Sequence, residues 1–251
     1  HQTSPPEPTM VGVPYRYYEQ YGCLRYDSHG TSHRYVSRRC LELLGKPDGK
    51  GTRIISCHFG NGSSVTAIRD GRVIDTTMGL TPLDGFMMGT RSGAVDPSVV
   101  TYIMEKEGLT PRQMDELLNK QSGMLGISGV SSDDRDIAAA IEAGNERAKL
   151  AWDMRTYEII KYIGGYIVAL GGVDALIFTA GIGENQPTLR AEICNALSFY
   201  GVKLDAEKNK VHGEETEITT PDSSVRAFVI PTNEELVIAR DTQAIVEGRT
   251  L

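Results

Sequence analysis

The sequence has little that would tie it to a membrane, a disulfide framework or a polyanion. No apolar stretch approaches the roughly 20 residues that a membrane helix needs, and no basic segment followed by an apolar one opens the chain. The four cysteines, Cys23, Cys40, Cys57 and Cys194, stand singly. They lack the paired spacing of a zinc ribbon or a disulfide scaffold, a usage that fits a reducing cytoplasm. Positive charge is in the minority: 26 Lys and Arg against 33 Asp and Glu give a net charge of −7. With no basic run either, nucleic acid and anionic membranes are not expected partners, and a small molecule is. What is present is a globular composition, 40% hydrophobic and 24% charged over 251 residues, enough for one large domain or two ordinary ones. The chain opens at His1 rather than at a methionine, which points to sequence upstream.

Prolines at 5, 6, 8 and 14 and the tyrosines at 15, 17, 18, 21 and 26 predict an irregular lead-in over residues 1–27 with one short helix. A helix is expected over 31–44, stopped by Gly45 and Pro47. Strands follow at 53–57, 64–68 and 72–76, the last two joined by Asp70-Gly71, a strong hairpin signal. Beyond a glycine-rich passage the chain reads as helical from Asp96-Pro97, again from Thr110, where Pro111 and Gln113 complete a capping box, and again near Ser132. A long helix follows, with Leu150, Tyr157, Ile160, Ile163, Ile167 and Leu170 expected on one face. Next come a buried strand at 175–179, a helix at 187–200, a strand at 225–230 and a last helix capped by Thr232 with Glu235 as its capping-box partner.

Two segments pair a strand end with a glycine-rich turn: Cys57-His58-Phe59-Gly60-Asn61-Gly62-Ser63-Ser64 and Thr179-Ala180-Gly181-Ile182-Gly183-Glu184-Asn185. Glycine lets backbone N–H groups approach a phosphate, and a helix start behind the turn adds its positive end. Either alone is equally an ordinary turn; two in one chain favour phosphate binding. Neither is a Walker A loop, since Lys46 precedes a proline and Lys50 a glycine, and the second lacks the third glycine of a dinucleotide fingerprint.

Arg91, set between Gly89 and Gly93, is either a surface ion-pair partner or a donor to phosphoryl oxygens. His29 and His33 are four apart, but Gly30-Thr31 places His29 ahead of the helix, so a zinc pair is a poor reading. His29 reads better as a donor to an anion and His33 as a structural residue. Asp133, Asp134 and Asp136 open a helix and are stabilising there without any function, while Arg135 is available to a nucleotide. With Glu235 assigned to the cap, Glu234 is the freer carboxylate and a candidate for Mg²⁺, held largely through water.

In order and spacing, the segments His29-Gly30-Thr31-Ser32-His33, 58–64, 88–93, 131–136, 181–185 and 232–236 resemble those of the acetate kinases over nearly the whole chain. The resemblance implies an α/β fold, the ribonuclease H-like domain of the actin, hexokinase and acetate and sugar kinase superfamily, with nucleotide in a cleft between two domains. It implies reversible transfer of the γ-phosphoryl group of ATP to acetate, giving acetyl phosphate and ADP, with Mg²⁺ as cofactor, in a cytoplasmic homodimer. Propionate kinases share nearly all these segments, so propionate or another short-chain acid, and a non-catalytic nucleotide-binding module, stay open as alternatives.

Position by position, the resemblance makes His29 and Arg91 transition-state stabilisers. It makes His58, Phe59, Gly60, Asn61 and Gly62, with Gly181, Ile182, Gly183, Glu184 and Asn185, the phosphate loops, and Asp133, Asp134 and Arg135 the adenosine contacts. Pro82 would line the acid pocket and Glu234 hold the metal. Ser28 stands where many members have phenylalanine, which predicts a roomier, more polar pocket. The family's N-terminal domain has no match here, and its catalytic aspartate lies just ahead of the segment matching His1-Gln2-Thr3. Residues 28–232 are accordingly expected to form a C-terminal nucleotide-binding domain. Residues 1–27 and 233–251 are expected at the inter-domain join.

Overall fold

The computed structural model describes residues 4–26 and 28–249; His1, Gln2 and Thr3 lie outside them. The chain begins with α1 (Pro6–Thr9), α2 (Arg16–Tyr21) and α3 (Gly30–Leu43), followed by β1 (Arg53–Phe59), β2 (Ser63–Arg69) and β3 (Arg72–Thr76). A helical stretch holds α4 (Pro97–Glu107), α5 (Pro111–Lys120), α6 (Gly123–Ser128), α7 (Asp134–Glu142) and α8 (Glu146–Leu170). The last third contains β4 (Ala175–Thr179), α9 (Ala180–Asn185), α10 (Pro187–Ala196), β5 (Thr216–Glu217), β6 (Arg226–Val229) and α11 (Glu234–Val246).

The sheet order is β3-β2-β1-β4-β6-β5. β1 pairs parallel with β4 and β4 with β6, while β2 runs antiparallel between β1 and β3. A 3-2-1-4-6 order with its second strand reversed is the ribonuclease H arrangement, and β5 adds an antiparallel edge. The β2–β3 hairpin turns where the sequence says it should: Asp70 and Gly71 have φ of 52° and 73°, the left-handed pair that a two-residue turn of matching twist requires.

Alternation along the strands divides the core in two. Ile54, Ile68, Ala175, Ile177, Phe228 and Ile230 face Val36, Cys40 and Leu41 of α3. Ile55, Cys57, Val65, Ala67, Leu176, Phe178, Ala227 and Val229 face α8 and α10 through Trp152, Ile159, Ile163, Ile167, Leu189 and Ile193. Burying each large aliphatic side chain contributes about 1.5–3 kcal/mol, so this two-sided burial is what holds the strand ends in place.

Several expectations are corrected. The lead-in holds two short helices, α1 and α2. On α8, Ile163, Ile167 and Leu170 are buried, but Leu150 and Tyr157 are 52% and 65% exposed. The packed stripe is set instead by Trp152, Ile159 and Tyr166, which turns those two residues outward. The cap of α11 is Asn233, whose side chain accepts the Leu236 N–H, so Thr232 and Glu235 form no capping box. The capping box at Thr110 and Gln113 is present as read.

Candidate active site

β1 runs two residues past its expected end, so His58 and Phe59 are strand residues and the turn proper is Gly60-Asn61-Gly62. Phe59 is 1% exposed and packs edge-on against Phe86 in the core, which leaves only its backbone for a ligand. The second glycine segment is not an open loop either: α9 starts directly at Ala180. The N–H groups of Gly181 and Ile182 in its first turn have no acceptor within the helix. Ala180 has φ 65°, left-handed for a residue with a Cβ, and its N–H donates to Glu184 Oε1 at 2.8 Å. The same Glu184 oxygen accepts from the Thr232 N–H at 3.2 Å, tying the ends of β4 and β6 together. Beneath them Arg190 is completely buried and donates to the carbonyls of Gly183 and Glu184, both at 2.9 Å, and of Asn209 and Val211. Burial pulls its pKa down to about 10. Nothing in the local sequence marked Arg190, because its partners come from segments far along the chain.

The two segments meet. A Cβ placed on Gly60 would lie 3.9 Å from Cβ of Ala180. Gly60, Asn61, Gly181, Ile182, Asn185 and Gln186 line one hollow of about 430 Å³, closed on another side by Ser132, Asp133, Asp134 and Arg135. One residue beyond the hollow-lining Asn61, a Cβ on Gly62 would lie 2.9 Å from Arg91 Nη1 and 3.4 Å from His29 Nε2. Glycine at 62 is therefore what lets an arginine and a histidine converge on the end of β1.

His29 is the residue before α3 and is itself left-handed, with φ 61°. Its ring stacks on His58, centroids 4.0 Å apart. Behind it lies a buried network in which His29 Nδ1 is 2.9 Å from Ser64 Oγ, and Ser64 Oγ is 2.8 Å from His33 Nε2. His33 Nδ1 is 2.8 Å from Ser56 Oγ. His58 Nδ1 is bonded to Ser32 Oγ at 2.8 Å. These residues meet for simple reasons of period. Ser56 and His58 are two apart on β1, Ser64 pairs with His58 across the β1–β2 ladder, and Ser32 and His33 lie in the first turn of α3, which covers that face. Burial, reinforced by the Arg91 charge, lowers the His29 pKa to about 4. Burial and His29 lower that of His58 to about 3, and burial with both neighbouring rings pushes His33 well below the ordinary histidine value. All three are neutral at pH 7.

Arg91 has no carboxylate within ion-pair distance among the described residues; its Nη1 approaches the Pro82 carbonyl at 3.4 Å. The ion-pair alternative for Arg91 is thus not realised. Its loop is held from below. The N–H groups of Ser122, Met124 and Leu125, at and just inside the start of α6, donate to the carbonyls of Thr90, Met88 and Gly89. From α8, Glu158 accepts the Met87 N–H at 2.7 Å. Asp133 and Asp134, alike in sequence, differ in space. Asp133 caps α7 and pairs with Arg135 at the rim, which holds its carboxyl down at about 2. Asp134 is buried and clasped by Arg155 at 2.5 and 2.9 Å. Glu234 is exposed at the first turn of α11, two residues from the Thr232 N–H that Glu184 holds. A larger hollow, about 520 Å³, lies between β3 and α8 beside Asp75, Glu158, Tyr162 and Tyr166. It contains neither glycine segment, so size alone does not mark the site.

The sequence model of the Acetokinase family matches residues 1–240. The chain belongs to that family. It is 58% identical over 246 residues to an acetate kinase of Dictyoglomus turgidum, an alignment covering 98% of this chain and 60% of that protein. The fold matches the crystal structure of acetate kinase from Porphyromonas gingivalis with a TM-score of 0.94 at 50% identity, covering 98% of this chain and 61% of the other. It matches a propionate kinase from Francisella tularensis with a TM-score of 0.89 at 41% identity, over 96% and 61%. The chain thus spans about 60% of the length of these acetokinase relatives.

Proposed function

We propose that this chain carries the nucleotide-phosphate side of an acetate kinase active site, in which the γ-phosphoryl group of ATP passes reversibly to acetate. The observation that carries the reading is that two glycine segments line one hollow, while an arginine without a carboxylate partner and a neutral histidine converge on Gly62, the residue after the hollow-lining Asn61. Phosphoryl transfer asks the protein for positioning and for donors toward the equatorial oxygens more than for covalent help. On this reading Gly60, Asn61, Gly62, Gly181 and Ile182 cradle phosphates with backbone N–H groups, and Arg91 and His29 face the transferring group. Arg135 at the rim is the adenosine-side contact, with Asp133 orienting it. Asp134 acts through Arg155 rather than on the nucleotide, and Glu184 and Asn185 shape α9. Pro82 marks the acid side through its proximity to Arg91.

Mg²⁺ belongs to the same reading. No group of three ligating side chains exists among the described residues, which suits an ion held chiefly by phosphate oxygens and water. Glu234 supplies one carboxylate, and the hydroxyls of Thr179 and Thr232, buried without partners at the ends of β4 and just past β6, are further oxygens of the right kind. Bound there, the ion would offset phosphate charge. Acetate is favoured over propionate by the higher identity to the acetate kinases, while Ser28 is the position to vary when testing acid size.

Residues 28–232 are proposed as the nucleotide-binding domain, with the lead-in and α11 toward the inter-domain join. A cytoplasmic homodimer completes the proposal. It is supported by four cysteines that are all free and, for the dimer, by a stripe on α8. There Leu150, Tyr157 and Val168 are exposed at alternating four- and three-residue spacing with Met154, Lys161 and Gly164. Two measurements test the core of the reading. Calorimetric titration with Mg·ADP should show one site per chain, weakened at least tenfold in Gly62→Ala with the melting temperature little changed, since the added Cβ would push the Arg91 guanidinium away and only touch His29. A hydroxamate assay detects acetyl phosphate formation. Absence of any nucleotide binding by the folded chain would overturn the proposal.

A further inference from the structure

The serine and histidine network behind His29 has a direction, and that direction decides which nitrogen of His29 carries its proton. A neutral imidazole is a donor at one nitrogen and an acceptor at the other, and a serine hydroxyl has one proton to give. Ser56, His33 and Ser64 are fully or almost fully buried, so each of their protons needs an acceptor within the protein.

Three protonation patterns give every contact a donor; the one in which His33 Nε2–H and His29 Nδ1–H both donate to Ser64 Oγ strands the buried Ser64 proton, which leaves two to compare. In one, the protons point toward the hollow. The Ser56 hydroxyl donates to His33 Nδ1, His33 Nε2–H to Ser64 Oγ, and the Ser64 hydroxyl to His29 Nδ1, leaving His29 with its proton on Nε2. In the other every bond is reversed. His33 Nδ1–H then donates to Ser56 Oγ, and the Ser56 hydroxyl proton is left over. Among the described residues Ser56 Oγ has no other hydrogen-bond partner. The reversed pattern therefore strands a donor in the core, whereas the forward pattern leaves its terminal N–H beside Gly62, with Nε2 3.4 Å from where a Gly62 Cβ would stand. The same reasoning applies to His58: Ser32 is fully buried and its hydroxyl has His58 Nδ1 as sole partner, so His58 too carries its proton on Nε2.

We propose that Ser56, His33 and Ser64 form a one-way hydrogen-bond chain that fixes His29 as a neutral Nε2–H donor toward the hollow. His33 and Ser64 are then positioning residues, acting on the reaction only through His29, and His29 serves as a polar N–H rather than as a cation. Its lowered pKa agrees with that neutral role. The part of the inference that concerns a phosphoryl group rests on the functional reading above; the proton pattern itself does not.

The test is tautomer-resolved NMR on the full chain labelled with ¹⁵N-histidine, at pH 7 and without substrate, with His29 resonances assigned by their loss in His29→Gln. The expected spectrum has His29 and His33 both protonated at Nε2 and bare at Nδ1. In Ser64→Ala the single His29 form should be lost, giving an Nδ1–H population. A His29 protonated at Nδ1 in the wild-type chain would overturn the proposal, as would an unchanged His29 tautomer in a folded Ser64→Ala. If Ser64→Ala does not fold, Ser56→Ala supplies the second arm. It removes the only feature that sets the direction, so His29 should become a mixture of tautomers, and an unmixed Nε2–H form would count against the chain. Because no nucleotide is present, failure of the functional reading leaves these outcomes intact.

Discussion

Asp133 and Asp134 show how much a single position matters once the backbone is placed. Adjacent in sequence and equally acidic, they sit on opposite sides of the α7 start: one on the rim, paired with a largely exposed Arg135, the other in the interior against Arg155. Removing Asp134 leaves an uncompensated guanidinium in the core, next to the Trp152 ring. Asp134→Ala is therefore expected to destabilise the fold by about 3–5 kcal/mol. Asp133→Ala removes a solvent-exposed cap and should cost much less than Asp134→Ala, with its larger effect on nucleotide affinity through a less ordered Arg135. Urea denaturation of the two variants beside a Mg·ADP titration separates them; equal losses of stability would mean that Arg155 is not the partner that matters. His29 and Ala180 make the same point in the backbone. Each bears a Cβ at a left-handed φ beside a glycine segment; among the described residues the other non-glycine at positive φ is Asp70, in the hairpin turn.

At the scale of elements, what could be read in advance were features whose cause is local. The Asp70-Gly71 hairpin, the Thr110 capping box and the α3 stop each depend on residues within a few positions of one another, and all stand as expected. Both glycine segments and Arg91 were legible as well, because glycine beside a strand end is a visible departure from pattern. The short helix α6 was not. It has six residues, two of them glycine, and no side-chain cap; it exists because its free N–H groups find the carbonyls of residues 88–90, a contact no periodicity encodes. For the same reason Glu158 and Arg190, which fix the Arg91 loop and α9 from other elements, carried no signal. The face of α8 was misjudged because apolar residues ring much of that helix, so the pattern alone does not say which stripe packs. The α6 arrangement yields a prediction. A Cβ on Gly123, at φ +63°, would stand 2.2 Å from the Met88 carbonyl oxygen and 2.7 Å from that of Arg91. Gly123→Ala should thus cost about 3 kcal/mol, combining left-handed strain with overpacking, and shift Arg91 off the hollow. A stable variant with unaltered nucleotide affinity in calorimetry would show that the loop does not depend on this junction.

Across the whole molecule, the face of the sheet under α3 changes character along its length, from Ile54, Ile68 and Ala175 at one end to Ser56, His58, Ser64 and Thr66 at the other. The polar end is the end of the proposed site, and its three histidines link that end to global stability through pH. Each has a folded pKa below the unfolded value of about 6.5. The unfolded chain therefore binds more protons than the folded one below that value, and unfolding free energy rises with pH across the interval. Their stabilising contribution is whole above pH 6.5 and is lost as pH falls toward about 4 for His29 and about 3 for His58. Each histidine adds at most about 1.4 kcal/mol per pH unit to the slope. The groups facing the cluster are Arg91, whose charge resists protonation of His29, and the histidines themselves, which resist one another's. Depressed carboxylates such as Asp133 and Asp174 add to the acid loss at the lower end of the histidine window, from about pH 5 downward, while Asp75 and Glu158, raised by burial, act in the opposite sense. Urea midpoints measured from pH 7.5 to 5 should accordingly decline as the histidines of the unfolded chain take up protons. His33→Gln, although destabilised at pH 7 by the lost network, should show a shallower decline. A slope equal to that of the unaltered chain would place the responsible protons elsewhere.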